Sequence, residues 1–243
     1  MEVKPGSLFA TVTALAMSAS AQEIVSDNTS FQSGGKRIGV VVFKPKSTES
    51  HSAILVLHGA GGVDAGNAYV RQLATAVAAA GYGTYLIEYF DRTDTSYADE
   101  QTMRTNAEKW VSTLVDSLNF VSKQPGTDPD RIGVFGYSLG GYLAVALAAR
   151  DARVRAVVEL AGGIEPELAR TVTRLPPTLI VHGKDDARVP FARATELQRL
   201  MQKIGAHVET EFLPSERHIL SPMAAFHALA RALEFFGTQL KER

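Results

Sequence analysis

Ser138 stands within Gly136-Tyr137-Ser138-Leu139-Gly140, a G-x-S-x-G spacing with a further glycine at 141. A hydroxyl alone is a weak nucleophile. It attacks a carbonyl carbon when an imidazole within hydrogen-bond reach takes its proton and an acid holds that imidazole in place. Both partners are available downstream. Asp185 and Asp186 lie in "HGKDDARVP", and His218 lies in "PSERHIL". The chemistry this set could perform is acyl transfer through a covalent serine ester.

The glycines have a steric purpose. A sharp strand-to-helix turn would lift the hydroxyl clear of the sheet, and side chains two places before and after it would collide. Two plainer readings stand beside this one. The segment could be small residues packed at a tight turn, or a dinucleotide loop with Glu159 as its ribose-binding acid. The dinucleotide reading has Ser138 where the middle glycine belongs.

Of the two aspartates, Asp186 is preferred and Asp185 remains eligible, with Glu159 next in line. Among the later histidines, His207 opens a strand at the wrong edge and His227 falls inside a helix, so His218 is the expected base. An oxyanion needs two backbone donors. The N–H of Leu139 follows the serine directly. The other donor is expected from "HGAGG" (His58–Gly62), with Ala60 first and Gly61 second. His58 and His182 each precede a glycine at a strand end and read as braces for their loops. No H-E-x-x-H or P-loop pattern occurs, and neither a metal nor a cofactor is expected.

These groups need a scaffold that delivers them to one edge. Past residue 22 the chain alternates apolar runs with helical periodicity. A hairpin signal at Ser33-Gly34-Gly35 comes first. "AILVLHG", "GTYLIEYF", "RIGVFG", "VRAVVELAG", "PTLIVHG" and "HVETEFLP" read as strands. Val70, Leu73 and Val77 share a helical face, as do Trp110, Leu114, Leu118 and Val121. Leu139–Arg150, the Ala194–Ile204 segment and the Phe226–Phe236 segment complete the helices. Such alternation predicts one α/β domain over 22–243, with a mostly parallel sheet covered on both faces. In that architecture ligands bind at the carboxyl ends of the strands. Ser138, the Asp185-Asp186 pair, His218 and "HGAGG" all fall there.

Composition narrows the function. The 243 residues include no cysteine, which excludes thiol catalysis, disulfides and thiolate metal sites. A formal net charge of -1 without long charged blocks argues against nucleic acid or an anionic membrane as the main partner. Residues 1–21 carry Lys4, an uncharged run from Leu8, and Ala19-Ser20-Ala21, a small-residue cleavage pattern. A cleaved signal and export to a periplasmic or extracellular space are therefore expected. A surface helix on a cytoplasmic protein is the alternative. Asn28 begins an N-x-S/T sequon, a pattern short enough to occur by chance.

"HGAGG", "YFDRT" (Tyr89–Thr93), "GYSLGG" and "HGKDDARVP", followed by His218, together resemble the dienelactone hydrolase-like family of α/β hydrolases. The resemblance implies that fold over nearly all of the mature chain, and ester-bond hydrolysis. It assigns the acid of "HGxxDxxVP" to Asp186. It also departs from the family, since dienelactone hydrolases proper carry cysteine where this chain has Ser138. A small ester or lactone is the expected partner. A peptidase or amidase with the same residues and a non-catalytic binding protein are the alternatives, and the oligomeric state is left open. Gly162–Pro176 is too short for a cap domain, so an open site is expected. Tyr89, Phe90 and Arg92 leave a strand at the catalytic edge. They read equally as a substrate wall or as a surface loop with buried aromatics.

Overall fold

The computed structural model describes residues 23–46, 50–63 and 68–241. The expected signal, 1–21, lies outside the described residues. Eight described strands form one sheet in the order β1-β2-β4-β3-β5-β6-β7-β8. They are β1 (Ile24–Ser33), β2 (Lys36–Pro45), β3 (His51–Leu57), β4 (Gly83–Ile87), β5 (Thr127–Tyr137), β6 (Val154–Leu160), β7 (Thr178–Gly183) and β8 (Val208–Leu213). Strand β2 runs antiparallel to both β1 and β4, and the pairings from β4 through β8 are parallel.

The helices are α1 (Ala68–Ala79), α2 (Glu100–Val121), α3 (Leu139–Arg150), α4 (Pro166–Thr171), α5 (Ala192–Lys203) and α6 (Pro222–Gln239). Alternation along the strands decides which face each residue serves. Leu55 and Leu57 join a core with Trp110 and Leu114 of α2, Leu147 of α3 and Leu197 of α5. Ile54 and Val56 point to the opposite core, with Val70 and Val77 of α1 and Phe235 and Phe236 of α6. Every residue of β3 is buried, as expected for a strand covered on both sides.

The β1–β2 hairpin turns on Gly34 and Gly35, at φ +51° and +79°. Two successive positive φ values suit a two-residue hairpin loop that follows the strand twist. Both hairpin strands run to ten residues. Strand β5 begins earlier than "RIGVFG". A register shift lets His51 pair with Thr127 while Ala53 pairs with Ile132, and the irregularity accommodates Pro129. Helix α2 starts on Asp99, whose carboxylate accepts from the Thr102 N–H at 2.8 Å. Between β6 and β7 stands only the six-residue α4, and no cap domain is present among the described residues.

Candidate active site

Ser138 lies between the end of β5 and the first residue of α3, at φ +56° and ψ -119°. Left-handed backbone in a non-glycine residue is costly and persists only where its surroundings hold it. Here Ser138 N–H donates to Leu160 O at 2.8 Å, and Ser138 O accepts from Gly141 N–H at 2.8 Å. A β-carbon on Gly136 would overlap the Gly140 carbonyl. One on Gly140 would overlap the carbonyl of Leu57 and come within 2.6 Å of that of His58. The serine is therefore lifted by a turn that requires glycine on both sides, as the spacing predicts.

His218, in the loop between β8 and α6, reaches the serine. Ser138 Oγ lies 2.9 Å from His218 Nε2, and His218 Nδ1 lies 2.8 Å from Asp186 Oδ2. A carboxylate can only accept, so Nδ1 carries the proton and Nε2 accepts from the serine hydroxyl. Asp186 sits three residues past β7 with its side chain wholly buried. Its Oδ1 accepts from the N–H groups of Arg188 and Val189, each at 2.8 Å. Asp185 is exposed on the same loop, and its N–H donates to Glu216 O at 3.0 Å. The structure thus joins Ser138, His218 and Asp186 in one relay and leaves Asp185 outside it. His207 and His227 lie away from the relay, paired with Glu209 and Glu211, each at 3.1 Å.

The two loop histidines act as braces. His182 is fully buried, donates from Nε2 to Val189 O at 2.9 Å, and lies 3.4 Å from Asp186 Oδ2. Burial lowers its pKa, which keeps the ring neutral. His58 donates from Nδ1 to Gly59 O at 2.8 Å, and burial lowers its pKa to about 4. The loop that His58 serves is pressed against Ser138: a β-carbon on Gly59 would lie 3.3 Å from Ser138 Cβ. Ala60 O accepts from Ala98 N–H at 2.9 Å, and Gly62 N–H donates to Gly59 O at 3.2 Å. Ala60 and Gly61 therefore lie on a tied loop beside Ser138. Leu139, as the first residue of α3, has an N–H with no acceptor within its own helix.

Of the two readings of Tyr89, Phe90 and Arg92, a substrate wall or a loop with buried aromatics, the structure shows the second for Tyr89 and Phe90. The chain turns into a 3-10 helix at Tyr89–Thr93 and carries both aromatics inward. Tyr89 is wholly buried, its ring stacked on His58 with centroids 4.0 Å apart. Phe90 packs on Trp110 at 4.8 Å. Arg92 extends to the β1–β2 hairpin, where a β-carbon on Gly34 would overlap its guanidinium. Burial of two large rings against Trp110 outweighs their exposure at the site rim. Tyr89 still serves the site indirectly, because its hydroxyl donates to His58 O at 2.7 Å. No sequence pattern marks that support. Tyr137 was also missed: its hydroxyl donates to His218 O at 3.2 Å and its ring lies 5.4 Å from the imidazole. Its place inside the G-x-S-x-G segment was the available signal.

Glu159, on β6 opposite Gly136, lies behind the turn and does not touch the relay. Its Oε1 accepts from Gly162 N–H, and its Oε2 is buried without a partner. Burial raises its pKa to about 8.

The fold and this relay define an α/β hydrolase. The chain belongs to the dienelactone hydrolase family, whose model matches residues 38–240. The crystal structure of a dienelactone hydrolase from Anabaena variabilis is similar at 22% identity and a TM-score of 0.73, covering 90% of this chain and 99% of that one. A dienelactone hydrolase-like promiscuous phosphotriesterase from metagenomic libraries is similar at 17% identity and a TM-score of 0.80, covering 90% and 99%. Among curated proteins, the thiohydrolase aneE of Aspergillus aculeatus is 38% identical over 58 residues, 24% of this chain and 18% of its own length. The curated relatives are matched over 18% to 50% of their length.

Proposed function

We propose that the protein is a serine hydrolase that cleaves carboxylic esters or lactones through an acyl-enzyme. One observation carries this reading: the unbroken hydrogen-bonded series from Ser138 Oγ through His218 to Asp186, at 2.9 and 2.8 Å. Ser138 Oγ attacks the substrate carbonyl while its proton passes to His218 Nε2. Asp186 keeps the imidazole in the reactive tautomer and stabilises the imidazolium that forms. The N–H groups of Leu139 and of Ala60 or Gly61 receive the oxyanion, each well-aimed donor contributing about 3–4 kcal/mol at the transition state. His218 then protonates the leaving alcohol. A water molecule, deprotonated by the same imidazole, releases the acid and restores the serine. Every proton is carried by these side chains, and no cofactor is invoked.

Export is part of the same proposal, supported by the Ala19–Ala21 pattern. Intact mass of protein recovered from its host should show a chain beginning at Gln22, and a retained Met1 would refute it.

The enzymatic reading is tested with a fluorophosphonate probe and p-nitrophenyl butyrate. The protein should take one adduct, on Ser138, and hydrolyse the ester. Ser138→Ala should lose on the order of 10⁴–10⁶ in kcat with an unchanged circular dichroism spectrum. An unlabelled protein, or an active Ser138→Ala variant, ends the proposal.

A further inference from the structure

Four non-glycine residues among the described ones adopt left-handed backbone, and two of them stand at the ends of neighbouring strands: Ser138 after β5 and Ala161 after β6. Such backbone is costly and needs its surroundings to hold it. The two turns are tied to each other. Ser138 N–H donates to Leu160 O at 2.8 Å, and a β-carbon on Gly162 would lie 2.8 Å from Ser138 O and 3.1 Å from Gly141 Cα. Gly162 is therefore the floor on which the nucleophile turn rests.

Glu159 spans the second turn. Its Oε1 accepts from Gly162 N–H, closing a loop around Ala161, and a β-carbon on Gly141 would lie 3.0 Å from the same oxygen. One carboxyl group thus touches the β6 turn and the first turn of α3, where Gly141 N–H donates to Ser138 O. A fully buried carboxyl is costly to keep in a sheet whose neighbouring position on β7 is Ile180. What it supplies there is an acceptor for Gly162 N–H.

We propose that Glu159 is a positioning residue for the nucleophile, whose uncharged carboxyl holds Gly162 against the Ser138 carbonyl and so sets the turn from behind. The inference rests on the serine-hydrolase reading and adds a condition to it: the turn keeps its reactive form only while this carboxyl keeps its proton. A charge there would have no counter-ion. Oε2 is buried without a partner. The adjoining positions are Gly136 of β5 and Ile180 of β7, and α3 contributes Gly141 and Tyr142, the titratable neighbour on which Glu159 acts. The charges of Arg193 on α5 and Glu165 before α4 act on Tyr142, whereas burial and the Gly162 N–H govern the carboxyl. His182, two places after Ile180 on β7, is kept neutral by burial.

The test compares the parent, Glu159→Gln and Glu159→Met on p-nitrophenyl butyrate and, independently of ester turnover, in the rate at which a fluorophosphonate labels Ser138. Burial raises the Glu159 pKa to about 8, so the parent should lose about tenfold in kcat and in labelling rate from pH 7 to pH 9, with an unchanged circular dichroism spectrum. Glutamine keeps the acceptor and cannot ionise. Glu159→Gln should match the parent at pH 7 within about threefold, because the bond to Gly162 is kept, and should stay level to pH 9. Methionine fills the space without an acceptor. Glu159→Met should lose on the order of 10–10² in kcat at pH 7, at similar KM and with the fold intact. Parallel pH profiles for the parent and Glu159→Gln overturn the inference, as does a folded Glu159→Met variant with parental kcat. Should Glu159→Met fail to fold, the Glu159→Gln profile decides alone. A parent that is labelled but hydrolyses no ester defeats the proposed substrate class, and the labelling rates then decide the inference. A parent that is neither labelled nor active defeats the hydrolase reading and this inference with it.

Discussion

Two acids are withdrawn from water at the ends of neighbouring strands, and they meet opposite environments. Asp186, past β7, has two backbone N–H groups on Oδ1 and the His218 Nδ1–H on Oδ2, with His182 Nε2 at 3.4 Å. Glu159, on β6, has the Gly162 N–H on one oxygen and no partner on the other. Donors converge on both oxygens of Asp186, whereas one oxygen of Glu159 is buried without any. A buried carboxyl becomes an orienting acid when backbone and imidazole donors point at it. Without them it is a neutral packing group, which agrees with a Glu159 pKa raised to about 8 by burial.

The largest expected effect separates the two acids directly. Asp186→Asn keeps shape but favours the wrong histidine tautomer, and it should lower kcat on p-nitrophenyl butyrate by about 10⁴. A Glu159→Gln variant at pH 7 that loses as much would break the comparison, because Glu159 would then belong to the relay.

A smaller effect concerns pH. The Glu159 pKa is raised in the folded state, so the unfolded chain releases this proton first. Its contribution to stability is complete below about 4.5 and is lost as pH rises through about 8. Across that window the loss is about 1.4 kcal/mol per pH unit at most. Melting temperatures of the parent should therefore fall relative to Glu159→Gln between pH 5 and pH 9. A constant difference would show that the carboxyl finds donors.

Tyr89→Phe tests the loop that faces the relay. Removing the hydroxyl leaves the buried His58 carbonyl without this donor, and stability in urea should drop by about 1–3 kcal/mol. The smallest effect is expected at Asp185→Asn. The residue is exposed and outside the relay, so kcat should fall less than about tenfold. Should Asp185→Asn be the inactive variant, the contrast between buried acids would lose its basis.

Much of the site was legible because its rules are local. Gly136 and Gly140 flank Ser138 within five residues, and their need for space follows from backbone overlap inside that turn. His218 could be chosen because alternation of strands and helices fixes which loops share an edge. The preference for Asp186 over Asp185 agreed with what the family resemblance of "HGKDDARVP" implied. The fate of "YFDRT" was not legible. Its aromatic and charged residues suit either a wall or a buried turn, and the outcome depended on Trp110, on α2, and on the β1–β2 hairpin. The exposure of Phe226 was equally hidden, since it opens the apolar series of the Phe226–Phe236 segment.

The sequence by itself therefore determined the glycine-flanked turn that holds Ser138, the absence of any thiol, and the alternation that makes a parallel sheet. Each of these follows from composition or from contacts a few residues apart. The tertiary structure decided which acid meets the imidazole, where the aromatics point and which apolar groups stay in water. Those outcomes rest on pairings such as Ser138 with His218, 80 positions apart, and Asp186 with His218, 32 apart. Distances of that kind are fixed by how the strands order themselves in the sheet, because packing of whole layers rather than local propensity selects them.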